Sequence, residues 1–193
     1  MKILIAVPTF ENIQPEVFKA IFELKTEHEL HFDIMRGYDC AVARNNIGKL
    51  AIAGGYDYVL MVDSDTIIPS DALELLLDPP VDICLGVCPR KNTKEGKTAM
   101  VKLGSNNYFD NYYYSELPEH RIQVKGGGFA CALIKTYVFS QLDFPWFQYV
   151  TNEDYSLFSE DYYFCQQAHA YGIDVWMDPR VRCGHLARYY QYE

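Results

Sequence analysis

The chain of 193 residues is long enough for one well-buried core, and its 49% hydrophobic and 15% aromatic content excludes a disordered polymer. Its formal net charge of −9, from 17 Lys and Arg against 26 Asp and Glu, argues against binding nucleic acid or an anionic membrane through basic residues. No apolar run approaches the roughly 20 residues of a membrane span, and the first residues lack the pattern of a signal peptide. We therefore expect a single soluble domain in the cytoplasm.

Cysteine usage points to the same compartment. The six cysteines include no Cys-x-x-Cys pair, and several lie inside apolar runs that are typical of strands. We expect them to be free, buried thiols in a reducing environment. They are Cys40, Cys84, Cys88, Cys131, Cys165 and Cys183.

The first third of the chain alternates apolar strand-like runs with helix-like segments. Strands are predicted at residues 3–7, 30–35 and 57–62. One helix is predicted from Pro15, and a second from the N-cap Asp39 to residue 53, where Gly54-Gly55 ends it. This alternation is typical of βαβ units, so we expect an α/β fold with a central, mostly parallel sheet flanked by helices.

The pattern continues less regularly to the end. A short helix is predicted at residues 69–77 and strands at 81–87, 121–125 and 129–134, whereas residues 98–119 show no clear pattern. Further helices are predicted at residues 136–142 and from the cap Ser159 to Gly172, the latter with Phe164, Ala168 and Tyr171 facing inward. A strand at 173–177 and a turn at 178–179 follow, and we expect residues 181–192 to lack regular structure.

Two carboxylates stand directly after the third predicted strand. Asp63 and Asp65 follow an apolar run bounded by Gly54-Gly55 and Pro69. Ligands of open α/β sheets bind at the carboxyl ends of the strands, which is where this pair lies. Acidic turn residues are common in a chain with 26 acids. The pair therefore favours a functional site without identifying its chemistry.

Six short motifs together resemble the GT-A-fold, nucleotide-sugar-dependent glycosyltransferases of the family 2 kind. In chain order they are Val7-Pro8-Thr9-Phe10-Glu11, Ala43-Arg44-Asn45, Val62-Asp63-Ser64-Asp65, Gly126-Gly127-Gly128-Phe129, Ser159-Glu160-Asp161 and Gly184-His185. Each is weak alone, and their common order is the specific signal. The resemblance implies one Rossmann-like GT-A domain over residues 1–193, with a nucleotide-binding part at about 1–90 and a donor-sugar and acceptor part at about 91–193.

The resemblance also implies an activity and a set of site residues. The activity is metal-dependent transfer from a nucleotide diphosphate sugar, with a UDP-sugar favoured, to the hydroxyl of a carbohydrate or other acceptor. Asp65 and His185 would hold the metal, Mn²⁺ before Mg²⁺, with Asp63 as a ribose contact or further ligand. In the acidic pair Glu160-Asp161, Asp161 would be the general base of an inverting reaction. The remaining nucleotide-binding and donor-binding residues would be Pro8, Thr9, Glu11, Asp39, Arg44, Ser64, Gly126, Gly127 and Arg188.

Several alternatives stay open. A retaining transferase would use the helix-start carboxylate only to position the acceptor, and a non-catalytic module would bind a metal and a glycan through the Tyr-rich stretch. A sugar-nucleotide pyrophosphorylase is disfavoured because no Gly-rich, basic triphosphate loop follows the first strand. The basic cluster from Arg90 to Lys102 would meet an anionic ligand or form a solvated loop. The tail that carries Arg188 would close over the donor or pack permanently on the core.

Overall fold

A computed structural model describes residues 1–90, 96–106, 110–151 and 157–186. In chain order the elements are β1 (Lys2–Thr9), α1 (Pro15–Phe22), β2 (Glu29–Arg36), α2 (Cys40–Ala53), β3 (Tyr58–Val62), β4 (Thr66–Ile67), α3 (Ala72–Leu77), β5 (Ile83–Val87), β6 (Lys97–Val101), β7 (Asn111–Tyr113), a short 3-10 helix (Tyr114–Glu116), β8 (Ile122–Gln123), β9 (Cys131–Lys135), α4 (Val138–Gln141), β10 (Val150–Thr151), β11 (Leu157–Phe158), α5 (Glu160–Ala170), β12 (Val175–Arg182) and β13 (Gly184–His185).

Five strands of the main sheet run in one direction and two run against them. The order across the sheet is β2-β1-β3-β9-β5-β12-β8. β1 pairs in parallel with β2 and β3, and β12 pairs in parallel with β5. β9 lies antiparallel between β3 and β5, and β8 is antiparallel to β12. The predicted α/β fold with a mostly parallel sheet is therefore confirmed.

Helices cover both faces of the sheet. On one face, Ile5 of β1 packs in a core cluster with residues of α1 and α3. On the other face, Leu4 lies in a second cluster with residues of α2 and α5. Because alternate side chains of β1 and β3 pack against different helices, both strands are buried on both sides and read as continuous apolar runs. In the part of the chain that the structure describes, no helix combines the length and the apolar character needed to cross a membrane.

The predicted turn at Asp178 and Pro179 is wrong. β12 continues through both residues to Arg182, with a register shift against β5. The side chain of Asp178 is fully buried, and its carboxylate accepts hydrogen bonds from Arg121 and Arg180. A buried acid that is paired with two guanidinium groups thus occupies a strand bulge, where sequence alone suggested a reversal of the chain.

Other local expectations also need correction. Residues 184–185 form strand β13, which pairs with β4, although we expected irregular structure there. Tyr171 is 49% exposed because it follows the last turn of α5 and does not continue the inward face of the helix. All six cysteines are free, but Cys40 is exposed because it begins α2 at the protein surface. The strand predicted at 121–125 contains only Ile122–Gln123.

We predict that Gly48→Ala destabilises the fold, although alanine is the better helix former by about 1 kcal/mol. A Cβ at Gly48, inside α2, would lie 2.8 and 2.9 Å from two ring carbons of Trp146. The indole nitrogen of Trp146 donates to the Leu142 carbonyl, which holds the ring in place. Overpacking of this kind costs about 1–3 kcal/mol. Urea denaturation should show a net loss, whereas the exposed control Ile52→Ala should change the unfolding free energy by less than about 0.5 kcal/mol. Increased stability of Gly48→Ala would contradict the packing described.

Candidate functional site

A cleft of about 530 Å³ opens at the edge where β1 and β3 end. Parallel strands deliver their carboxyl ends to one edge, so the loops after them meet there. The chain after β5 and the start of α5 complete the walls. The predicted site residues that line this cleft are Pro8, Thr9, Asp63, Ser64, Asp65, Asp161 and His185.

Beneath the cleft, the guanidinium group of Arg44 joins three elements. Arg44 projects from α2, and one nitrogen donates to the carboxylate of Asp63, at the end of β3, over 2.8 Å. Another nitrogen forms a short hydrogen bond with the carboxylate of Glu160, the first residue of α5. The side chains of Arg44 and Glu160 are only 3% and 7% exposed. Arg44 therefore fixes the loop after β3 relative to the start of α5.

The electrostatics of this buried pair are reciprocal. Burial acts to lower the pKa of Arg44, but Asp63 and Glu160 raise it above its ordinary value, so the guanidinium stays charged. Burial raises the pKa of Glu160, and Arg44 opposes that shift. The guanidinium also lies 5.7 Å from the centroid of the Phe129 ring, within the range of a cation–π contact. Each partner thus compensates for part of the desolvation of the other.

The helix start at α5 gives its two adjacent acids different environments. Glu160 points into the protein toward Arg44, whereas Asp161 lines the cleft. Oδ1 of Asp161 accepts hydrogen bonds from the Ser159 hydroxyl and, over 2.8 Å, from the Tyr162 backbone. Oδ2 lies on the side of Gly128, 3.6 Å from the position that a Cβ there would occupy. The carboxylate of Asp161 is therefore oriented by two hydrogen bonds to Oδ1, and Oδ2 lies beside Gly128 at the cleft wall.

Asp65 and His185 are 120 positions apart in sequence and adjacent in space. The pairing of His185 with Thr66 in the small β13–β4 sheet brings them together, and Leu186 donates its backbone N–H to the Asp65 carbonyl. Nε2 of His185 lies 3.4 Å from Oδ1 of Asp65. Nδ1 lies 2.7 Å from the Pro89 carbonyl, which can only accept, so Nδ1 carries a proton. Hydrogen bonding to Asp65, with further contributions from Cys88 and Pro89, raises the pKa of His185 to about 10.

This pair fits a divalent cation in part. Two ligand atoms that each lie about 2.2 Å from one ion are about 3 Å apart when they are adjacent, close to the observed 3.4 Å. The bond from Nδ1 to a carbonyl is the usual second contact of a metal-binding histidine. Within the described ranges, no group of three or more His, Cys, Asp or Glu side chains is arranged to hold a metal. Further ligands would have to come from a bound molecule or water.

Other predicted site residues lie outside the cleft lining. Asp39 caps α2 by accepting from the Val42 N–H over 3.0 Å, and Glu11 is exposed. Gly126 and Gly127 face the core, where added Cβ atoms would lie 3.0 Å from Cys165 and 2.4 Å from Met100 respectively. Arg44 and Glu160 are buried beneath the cleft. Arg188 lies outside the described residues, as do the other tail residues from 187 onward.

The cleft also includes residues that sequence reasoning missed. Gly128, rather than its two glycine neighbours, reaches the cleft wall, and Cys40, Cys88 and Phe10 line it as well. Phe10 is 72% exposed. It belongs to the motif Val7-Pro8-Thr9-Phe10-Glu11 at the end of β1, so an aromatic residue directly after a buried apolar strand was the available signal. Nothing in the local sequence distinguishes Gly128 or the two cysteines.

Of the basic cluster from Arg90 to Lys102, only part lies at the cleft in the described residues. Arg90 lines the cleft, whereas Lys102 forms ion pairs with Asp110 and Glu116 at 3.8 and 3.3 Å. Lys97 begins β6. Lys91 and Lys94 fall outside the described ranges. Arg90 is therefore the member of this cluster that the structure brings to the cleft.

We predict that Arg44→Met destabilises the fold by about 3–5 kcal/mol, because it leaves the Glu160 carboxylate buried without its partner. The double variant Arg44→Met/Glu160→Gln should recover much of that loss in urea denaturation. The variant's deficit should also shrink at low pH. A carboxyl group whose folded pKa is raised is penalised above that pKa, and the penalty disappears as the pH falls to the unfolded value of about 4.3. Additive losses in the double variant would contradict direct coupling.

Comparison with known proteins places this geometry in a fold class. No protein-family model matches the sequence, and no curated protein matches it. Among solved structures, the chain is similar to A197 from STIV, with a TM-score of 0.69 and 17% identity over 97% of this chain and 87% of that chain. It is also similar to GalNAc-T7, solved with UDP, GalNAc and Mn²⁺, with a TM-score of 0.59 and 12% identity over 96% of this chain. The match covers 44% of the GalNAc-T7 chain. The fold of this chain is GT-A-like.

Proposed function

We propose that this chain is a metal-dependent glycosyltransferase that transfers a sugar from a nucleotide diphosphate sugar, with UDP-sugars favoured, to an acceptor hydroxyl. The observation that carries the proposal is that Asp65, His185 and Asp161 line one cleft at the carboxyl edge of a GT-A-like sheet. The presence of UDP and Mn²⁺ in the GalNAc-T7 structure supports the choice of donor and metal. Mg²⁺ is the alternative ion.

In this proposal, the part at about residues 1–90 binds the nucleotide and the part at about residues 91–193 binds the donor sugar and the acceptor. Pro8 and Thr9, at the end of β1, and Ser64, after β3, line the cleft beside Asp63. Asp63 receives the Arg44 hydrogen bond through Oδ1 and is 31% exposed, which leaves part of its carboxylate accessible to a ribose hydroxyl. Phe10 offers an exposed ring at the same edge that can stack on a base.

Asp65 and His185 would hold the cation. The chain is acidic, with a net charge of −9, so basic residues alone are poorly suited to neutralise a diphosphate. A divalent cation held by Asp65 and His185 would supply that neutralisation as the leaving diphosphate gains charge. The contact of Nδ1 with the Pro89 carbonyl keeps the His185 ring oriented with Nε2 toward Asp65.

Asp161 is the proposed general base of an inverting reaction. Its carboxylate would accept the proton of the acceptor hydroxyl while the hydroxyl oxygen bonds to the anomeric carbon and the bond from that carbon to the diphosphate breaks. The hydrogen bonds from Ser159 and from the Tyr162 backbone occupy Oδ1 and orient the group. Glu160 is buried against Arg44, so we assign it a positioning role.

We predict that Asp65→Ala abolishes metal-dependent nucleotide binding, because it removes one of the two proposed protein ligands. A ligand that binds only the folded state raises its melting temperature. Wild-type protein should therefore melt at a higher temperature with UDP and Mn²⁺ together than with either alone, and Asp65→Ala should lose that increment. Asp71→Ala, at the exposed start of α3, is the control and should retain it. An equal increment in Asp65→Ala, or in excess chelator, would count against the metal site.

We predict that Asp161→Asn reduces sugar transfer by about 10²- to 10⁴-fold, the usual contribution of a general base, while nucleotide and metal binding stay near normal. The measurement is transfer from a panel of labelled UDP-sugars to an acceptor or to water. Asp71→Asn is the matched control, because it removes an acid at another helix start. Unchanged turnover in Asp161→Asn would remove the base assignment, and retention of anomeric configuration in the product would favour the retaining alternative. Glycan and metal binding without any turnover would favour the non-catalytic module.

A further inference from the structure

Strand β2 forms one edge of the main sheet and is exposed over most of its length. It is the first strand in the sheet order and pairs with β1 over all eight residues without a register shift. It contains no proline or lysine, although Glu29, Asp33 and Arg36 carry charge. Six of its eight residues are exposed. A long and regular edge strand is a template for pairing with another strand.

One face of this edge is apolar. Leu30, Phe32 and Ile34 alternate along β2, so they lie on the same face of the sheet, and all three are at least 36% exposed. Phe18 of α1 contacts Phe32 edge to face at a centroid distance of 5.7 Å, and Phe22 follows one turn later with 81% exposure. We call these five residues the edge patch. None of the five residues lines the cleft.

The backbone N–H and C=O groups of β2 that point away from β1 belong to Leu30, Phe32 and Ile34, the β2 residues of the edge patch. The N–H of Glu29 donates to the carbonyl of Met1, which precedes β1, and the N–H of Gly37 donates to the carbonyl of Thr9. The odd-numbered residues therefore use their backbone groups within the sheet. Backbone groups alternate in direction along a strand, so those of the even-numbered residues point outward. The N–H of Ile34 follows this rule, since it points away from β1 and donates to the Asp33 side chain over 2.7 Å, a bond that pairing with a second copy would replace.

We propose that the edge patch joins two copies of this chain, with β2 pairing antiparallel to β2 of the second copy around a two-fold axis at Phe32. If this axis is normal to the sheet, the apolar faces of the two copies lie on the same side. Even-numbered residues of one copy then pair with even-numbered residues of the other. With Phe32 opposite Phe32, Leu30 meets Ile34 and the two strands exchange about six backbone hydrogen bonds. The interface is isologous, and it extends the main sheet into the second copy.

Side-chain charge selects this register. When Phe32 lies on the axis, His31 of each copy faces Asp33 of the other. Nε2 of His31 lies 2.7 Å from the Glu29 carboxylate of its own strand, so the imidazole would then stand between two carboxylates. Of the two neighbouring registers of equal parity, one places Asp33 opposite Asp33 and the other places Glu29 opposite Asp33. Like charges directly opposite each other destabilise a strand pair. The strand is therefore complementary to a reversed copy of itself, which favours a second copy over an unrelated partner.

The test of assembly is the molar mass in solution over a range of protein concentrations. We expect a monomer–dimer equilibrium by sedimentation velocity. His31→Asp should weaken the dimer by about tenfold, because it sets two symmetry-related pairs of acids against each other. The exchange variant His31→Asp/Asp33→His, which has the same amino-acid composition as the wild type, should restore dimer affinity. Phe32→Asp should give a monomer, while Leu103→Asp, at an exposed apolar residue elsewhere, should leave the dimer intact.

Crosslinking tests the register. In a Cys40→Ser background, which removes the exposed native thiol, Phe32→Cys should form a disulfide-linked dimer under mild oxidation, since paired residues across such strands have Cα atoms about 5.5 Å apart. Asp33→Cys should not. A monomer at every concentration, a dimer unaffected by Phe32→Asp, failure of the exchange variant to restore association, or preferential crosslinking of Asp33→Cys would each overturn the proposal.

Discussion

The buried ion pairs of Arg44 are the interaction on which the proposed site depends. A guanidinium group that is almost inaccessible to solvent has to be neutralised, and Asp63 and Glu160 supply the two carboxylates. Those residues begin the loop after β3 and the helix α5, the two segments that carry Asp65 and Asp161. The two ion pairs that compensate for the burial of Arg44 thus fix the loop after β3 relative to the start of α5, the segments that carry Asp65 and Asp161.

The same constraint separates the two acids at the start of α5. Glu160 and Asp161 are adjacent and both complement the helix dipole, so their local chemistry is alike. Glu160 contacts Arg44 inside the protein, and Asp161 is left on the cleft side with one oxygen held by Ser159 and by the Tyr162 backbone. In the proposed reaction, the buried Glu160 positions the partly buried Asp161 at the cleft.

Sequence pattern predicted the sheet and part of the site. The apolar run before Asp63 was enough to place Asp63 and Asp65 at a strand end, because a buried strand has a clear signature. The contact between Asp65 and His185 depends on strands β4 and β13, which contain two residues each and are too short to show any period. The family resemblance predicted His185 as a metal ligand through the motif Gly184-His185. The local residue pattern predicted no regular structure there. Gly128 was missed for a related reason, since three consecutive glycines look alike until Met100 and Cys165 fill the space beside two of them.

The edge patch lies along the lateral strand β2 and the cleft lies where β1 and β3 end, and the two share no residue, so association and catalysis can be tested with separate variants. The central claim concerns the cleft, and anomalous diffraction at the manganese edge from crystals grown with UDP and Mn²⁺ tests it most directly. The account predicts a manganese peak between Oδ1 of Asp65 and Nε2 of His185, with diphosphate oxygens in its coordination shell. A nucleotide bound in this cleft with manganese held elsewhere, or manganese at this pair without the nucleotide beside it, would contradict the account.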